Sequence, residues 1–268
     1  VRISLNRFLF SYNLCPAVTL DIKGTRNLTT ITLEKTFDMP ILLQIQLEYV
    51  ASTVAQRLDS LEIDYAIMGG ASVCLMAPDP QRATEDIDMV IQVDHRSITA
   101  DLLTGILLKS FPSDFGPVNQ FGHTIPGFKL QLPGDAVRLI ELEIFDYASW
   151  PNRPQYDLQS ATRVTQEING YPVKIFSAEW IIREKILSQY QRRGAKQAVD
   201  QQDVENLLSY AIPGKPELDF DRDQELQDAL ATFLQRKPKL RSDLEEVIKC
   251  QAIFGNWCDS SILFSSDK

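Results

Sequence analysis

The chain has 268 residues, of which 44% are hydrophobic and 24% charged, a balance that suits a folded protein of one large or two small domains and excludes wholesale disorder. Its formal net charge of -9 argues against broad electrostatic binding to a long nucleic acid, while leaving room for a local basic site. Cysteines 15, 74, 250 and 258 form no C-x-x-C pair and only His95 and His123 accompany them, so no zinc spacing is written and the scattered thiols fit a reducing, cytoplasmic setting.

Residues 1–37 hold no sustained period and read as an N-terminal extension. Arg2 and Arg7 ahead of an apolar run faintly resemble a signal peptide, but Ser11, Asn13 and Pro16 interrupt it. No stretch of about 18 apolar residues could span a membrane. Residues 38–176 then read as a mixed α/β core. Apolar residues at three- and four-residue spacing predict a helix from Ile41 to Leu58, followed by a strand from Ile63 to Met68 that runs into Gly69-Gly70. Ala71 to Met76 reads as a short helix stopped by Ala77-Pro78-Asp79-Pro80, Asp86 to Val93 as a strand, and Ser97 to Lys109 as a helix.

Phe111 to Gly127, punctuated by Gly and Pro, reads as a loop. Phe128 to Leu132 and Val137 to Phe145 form a hairpin around Pro133-Gly134-Asp135, and Trp150 to Pro154 ends its second strand. A second hairpin joins Arg163–Ile168 to Tyr171–Phe176 through Asn169-Gly170, a pair favoured in tight hairpin turns. Residues 177–254 are helical. Ser177 caps a helix to about Arg193 with Glu179 in its first turn, and helices follow at Val199–Tyr210, Gln224–Leu234 and Ser242–Phe254. Residues 255–268 form a tail.

The chemistry concentrates around the Gly pair and the strand after it. Residues i and i+2 of a strand face the same way about 6.6 Å apart, so Asp86 and Asp88 project together. Two such carboxylates can straddle a pair of magnesium ions; the plain alternative is a solvated acidic pair at a strand start. A third carboxylate would come from Val137–Phe145, where Glu141 and Glu143 lie on the polar face and Asp146 on the apolar parity; Glu143 is the candidate.

Gly69-Gly70-x-Ser72, followed by Arg82-x-Thr84-x-Asp86-Ile87-Asp88, resembles the signature of the DNA polymerase β-like nucleotidyltransferase superfamily, and within it the minimal, abortive-infection-type (AbiEii-like) members. Their third acid precedes two apolar residues on a later strand, as Glu143-Ile144-Phe145 does, with Glu where Asp is usual. The resemblance covers roughly residues 41–210. It implies an α+β fold, a mixed sheet flanked by helices with a helical region after it. It also implies two Mg2+ ions, with Mn2+ as a substitute, and transfer of a nucleoside monophosphate from an NTP, expected to be ATP, to a hydroxyl of a protein, a tRNA or a small molecule.

On that reading Asp86, Asp88 and Glu143 hold the metals, while Gly69, Gly70 and Ser72 cradle the triphosphate. Arg82 would either pin the turn or reach a phosphate, and Lys185 would neutralise phosphate charge or simply lie on a solvated helix face. Arg192, Arg193 and Lys196 form a basic cluster that suits either substrate or a helix C-terminus. Thr84 reads as structural, His123 as a loop residue near the pocket, and Trp150 as a packing residue or a base-stacking one. The alternative is a nucleotidyltransferase-fold protein with little or no activity that acts as a nucleotide-binding or interaction module, for which Glu in place of Asp at 143 is the main support.

Overall fold

Apolar side chains fill both faces of one short strand and put it at the centre of a sheet. In a computed structural model, which describes residues 41–131, 136–150 and 156–255, that strand is β2 (Ile87–Ile91). Ile87, Met89, Val90 and Ile91 are each 0% exposed, as expected of a strand covered on both sides. Asp88 alone breaks the apolar run, and it stays partly open.

Around β2 lie β1 (Tyr65–Met68), β3 (Phe115–Gln120), β4 (His123–Leu130), β5 (Arg138–Asp146), β6 (Arg163–Ile168) and β7 (Tyr171–Phe176). Together they form a seven-stranded mixed sheet in the order β3-β4-β5-β2-β1-β7-β6. The pairs β2–β5 and β1–β7 are parallel and the others antiparallel. Helix α1 (Gln44–Ser60) lies against β7, burying Leu47, Val50, Ala51, Val54 and Leu58 at helical spacing. Helix α2 (Gly69–Met76) follows β1 without a connecting residue, and α3 (Ala100–Ser110) packs on β3, β4 and β5.

The C-terminal helices start directly after β7. Ser177 caps α4 (Ala178–Gln191) by accepting a hydrogen bond from Trp180 N, and Phe176 stacks on Trp180 with ring centroids 3.8 Å apart. Helices α5 (Ala195–Leu207) and α6 (Gln224–Arg236) pack on α4, and two short helices, α7 (Arg241–Val247) and α8 (Gln251–Phe254), close the described region. The α+β reading holds.

Several elements differ from expectation. The stretch Phe111–Gly127, expected as a loop, contributes β3 and most of β4. Its breakers face one another, with Gly116 opposite Gly127 and Pro117 opposite Pro126. The β4–β5 ladder begins only at Gly127 opposite Glu141, so the missing N–H of Pro126 interrupts no bond on that side. A Cβ on Gly127 would lie 2.6 Å from the Val118 side chain, which is why a glycine serves the strand there. The helix expected over Ser242–Phe254 breaks at Ile248–Cys250, where Lys249 bridges to Asp219 instead. The expected helix Val199–Tyr210 starts earlier, at Ala195, and tightens into a 3-10 turn from Leu208. The extension 1–37, the turn Pro133-Gly134-Asp135, the segment Pro151–Pro154 and the tail beyond Gly255 lie outside the described residues.

Candidate functional site

The end of β1 and the start of β2 meet the middle of β5. Asp88 pairs with Met68 on one side and with Glu143 on the other, because β2 and β5 run parallel in that register. Asp86, just ahead of β2, projects toward the same place. Among the described residues, Asp86, Asp88 and Glu143 form the one group of three metal-capable side chains, with ligand atoms all within 4.8 Å of one another. A magnesium shell with bonds near 2.1 Å spans about 4 Å, so small side-chain adjustments would bring the three into one coordination sphere. All three are hard oxygen donors, the type that magnesium and manganese prefer.

The electrostatics show what the cluster lacks. Burial first, then the charges of Asp86 and Glu143, push the Asp88 carboxyl up to about 8, and the cations Lys185 and Arg192 only partly offset this. Burial and the same neighbours, Glu143 and Asp86, also raise Glu141. Negative charge is thus gathered here without a matching cation, which is the condition a divalent ion relieves.

Asp86 and Glu143 are each held by a neutral donor. Thr84, itself buried, donates to Asp86 Oδ1 at 3.1 Å, so the residue read as structural fixes one acid of the cluster. Gln120 Nε2 donates to Glu143 Oε1 at 2.6 Å and to Glu141 Oε2 at 3.3 Å. Asp146, the weaker third candidate, is fully buried and accepts from Ala100 N at 2.8 Å, so it anchors the start of α3 rather than joining the cluster.

The glycine pair makes room for this packing. Gly69 has φ +68, and a Cβ there would sit 2.0 Å from Asp88 Oδ2. A Cβ on Gly70 would meet Arg82 Nη2 and Thr84 Oγ1, each at 2.9 Å. Both glycines are therefore required by the acidic strand and its approach, independently of any ligand. Ser72 is buried and its hydroxyl donates to Gly69 O at 2.8 Å, which ties the turn to the first turn of α2.

Arg82 and Lys185 do not stand free beside the acids. Asp203 of α5 takes Arg82 Nε at 2.7 Å and Nη2 at 3.1 Å. Lys185 is 8% exposed, and its Nζ sits 2.9 Å from Asp200 and 2.7 Å from Asp203. Arg192 touches Asp200 at 3.4 Å and keeps half of its side chain exposed. Three cations on two acids leave this network one positive charge in excess. It joins the approach to β2 with α4 and α5, and it lends a positive field to Asp88. Arg193 and Lys196 are exposed near the α4–α5 junction, His123 is exposed on β4, and Trp150 is exposed with its ring against Phe145 at 6.3 Å.

Gln120, Asp200 and Asp203 were absent from the sequence reading. The two aspartates carried a readable signal, since residues three apart on a helix share a face. Gln120 lies in the Gly/Pro-punctuated stretch that forms the β3–β4 hairpin.

The site can now be set beside known proteins. No family model matches the chain, nor does any curated protein. Among solved structures, an antigenic nucleotidyltransferase-like protein from Paracoccidioides brasiliensis is 61% identical over 81% of this chain and 100% of that one, with a TM-score of 0.78. Two antibiotic-modifying proteins are far more distant. ANT(2'')-Ia in complex with adenylyl-2''-tobramycin is 14% identical over 72% of this chain and 98% of that one, at a TM-score of 0.38. The lincosamide adenylyltransferase LnuA with bound lincomycin is 14% identical over 61% and 98%, at 0.37. At that distance neither says anything about this chain's substrate.

Proposed function

The chain belongs to the nucleotidyltransferase-like family, and from that premise we propose that it is an enzyme moving a nucleoside monophosphate from an NTP to an acceptor hydroxyl. The observation that carries this reading is the convergence of Asp86, Asp88 and Glu143 at the foot of the Gly69-Gly70 turn, where Lys185 and Arg192 only partly offset the gathered charge. We assign the metal-holding role to these three carboxylates, with Mg2+ as the ion and Mn2+ as its substitute. Bound there, such ions would neutralise phosphoryl charge and make an acceptor hydroxyl more acidic.

The chain's own residues supply the rest. Thr84 and Gln120 orient the acids. The turn at Gly69 and Gly70, braced by Ser72, would offer the backbone N–H groups at the start of α2 to the phosphates of the NTP. Arg82 and Lys185 act on the triphosphate from within their network, as a fixed positive field rather than as free side chains, while Arg192, half exposed, would reach it directly. ATP is the nucleotide we expect. A small-molecule or protein hydroxyl fits the acidic chain better than a long nucleic acid. On the motif alone we place the chain with the minimal, abortive-infection type. No helix among the described residues is long and apolar enough to cross a membrane, and the free buried thiols of Cys74 and Cys250 support a cytoplasmic setting.

The test is to incubate the full chain with each labelled NTP, Mg2+ and a panel of acceptors, beside Asp86→Asn and Asp88→Asn. Metal-dependent pyrophosphate release, lost in both variants, is the expected result. Tight Mg2+-dependent NTP binding without turnover would overturn the enzymatic reading in favour of a nucleotide-binding module.

A further inference from the structure

The third acid of the cluster is a glutamate, and a glutamate on a strand brings a problem of aim. Its carboxylate is one methylene and one more rotatable bond from the backbone than an aspartate's, so ordering it costs more side-chain entropy. We propose that Gln120 is the positioning residue that fixes Glu143 as the third ligand, an inference that rests on the metal-holding role assigned above.

The placement of Gln120 is built into the sheet. The β4–β5 ladder runs only from Gly127–Glu141 to Leu130–Arg138, so the outer half of the β3–β4 hairpin is not laddered to β5. That half ends in a two-residue turn, Phe121 at φ 51 and Gly122 at φ 83, which pairs Gln120 with His123 as the last rung. Positive φ at both turn positions matches the right-handed twist of a hairpin, which makes the register before the turn definite. Gln120 then reaches over to β5 and donates to Glu143 at 2.6 Å, with a longer contact to Glu141 at 3.3 Å. One amide nitrogen thereby engages both glutamates of the strand face and holds the one that lies beside Asp88.

The chemistry of the donor matters as much as its position. Other carboxylates of this chain are met by cations: Asp114 by Arg57, Asp64 by Arg163 and Lys174, Asp203 by Arg82 and Lys185. A lysine or arginine at 120 would orient Glu143 equally well but would cancel the charge a metal needs. An amide orients without neutralising. It engages Oε1 and leaves Oε2 of Glu143 for a cation shared with Asp86 and Asp88. Partners that orient metal ligands in this way are worth about 10–100-fold in metal affinity.

The experiment is an Mn2+ titration of the full chain, read by the EPR signal of free Mn2+, for wild type, Gln120→Leu, Glu143→Gln and the double variant. Gln120→Leu should weaken Mn2+ binding about tenfold. In the Glu143→Gln background the same change should cost less than about twofold, because the group that Gln120 aims is gone. Thermal unfolding in EDTA should move little, which a purely structural role would not allow. Equal loss in both backgrounds, or no loss in either, overturns the proposal. Should the leucine variant fail to fold, Gln120→Asn keeps the amide but draws it back by one methylene, and it carries the same cycle. Absence of Mn2+ binding to wild type would instead sink the metal-holding reading itself, so the two failures are distinct.

Discussion

Two clusters of charge lie on either side of the Gly69-Gly70 turn, and they are built on opposite principles. In the network of Arg82, Lys185, Arg192, Asp200 and Asp203, acids and cations meet at 2.7–3.4 Å, and the two aspartates are almost wholly buried. In the cluster of Asp86, Asp88 and Glu143, three acids meet, and the donors to Asp86 and Glu143 are the neutral side chains of Thr84 and Gln120. A buried charge that is paired holds structure together; one left unpaired costs stability and is kept for something that arrives later. On the proposed reading, the difference separates the part of the site that positions from the part that would bind.

The sharpest way to break this comparison is at Asp88. Asp88→Asn should reduce turnover by at least about a thousandfold if the carboxylate holds metal, a loss of ~4 kcal/mol in transition-state stabilisation. The same change should stabilise the metal-free fold, because it removes a repelled, partly buried acid. A gain of about 1 kcal/mol would raise Tm by ~2–4 °C in a chain of this size, read by thermal unfolding in EDTA. Asp203→Ala should do the reverse. It strands Arg82 and Lys185 without their shared partner and should cost about 3–5 kcal/mol in urea denaturation. If the two variants shift stability in the same direction, the contrast between the clusters is wrong.

Gly69→Ala tests the turn that joins them. Its φ of +68 and the 2.0 Å approach to Asp88 Oδ2 mean that alanine must strain the backbone and displace the acid. We expect a stability loss of about 1–2 kcal/mol, read by urea denaturation, together with weaker Mn2+ binding.

The same contrast predicts a slope with pH. Asp88 lies near 4 in the unfolded chain and is pushed up to about 8 in the fold. Between those values the folded state holds a proton that the unfolded state has lost. Metal-free stability should therefore fall as pH rises from about 4 to 8. Mg2+ requires the ionised carboxylate, so the rise in Tm that it produces should grow from pH 6 to 9. Asp88→Asn should flatten both slopes.

What the sequence disclosed follows from how local each signal is. The run from β1 through the glycine pair to the acids of β2 is contiguous, and its spacing alone put Asp86 and Asp88 together. Asn169-Gly170 announced its turn, and both residues do take positive φ. Alternation on β5 is local too, and it put Glu141 and Glu143 on one face; the two apolar residues after Glu143 match the family pattern, although its pairing with Asp88 is not local. The β3–β4 hairpin escaped because glycine and proline were read as breakers one at a time. Read together, GPVNQ-FG-HTIPG is a mirror about Phe121-Gly122, with each breaker facing its like across the hairpin. Missing that mirror hid Gln120. The roles of Arg82 and Lys185 depend on Asp200 and Asp203, which reach them only through the packing of α4 on α5. No spacing near residue 82 could reveal a partner at 203.

The register of β2 against β5 also bears on how the protein is made. Asp86 and Asp88 are neighbours in any conformation of the chain, but Glu143 stands 55 residues beyond Asp88 and joins them only when two parallel strands align. Parallel pairing across so long a loop is a slow, non-local event in folding. An unfolded or half-folded chain can offer a divalent ion only the aspartate pair, and the full affinity would emerge when the central strands lock. Tight metal binding would then serve as a clock for completion of the sheet, observable in a refolding experiment without touching catalysis at all.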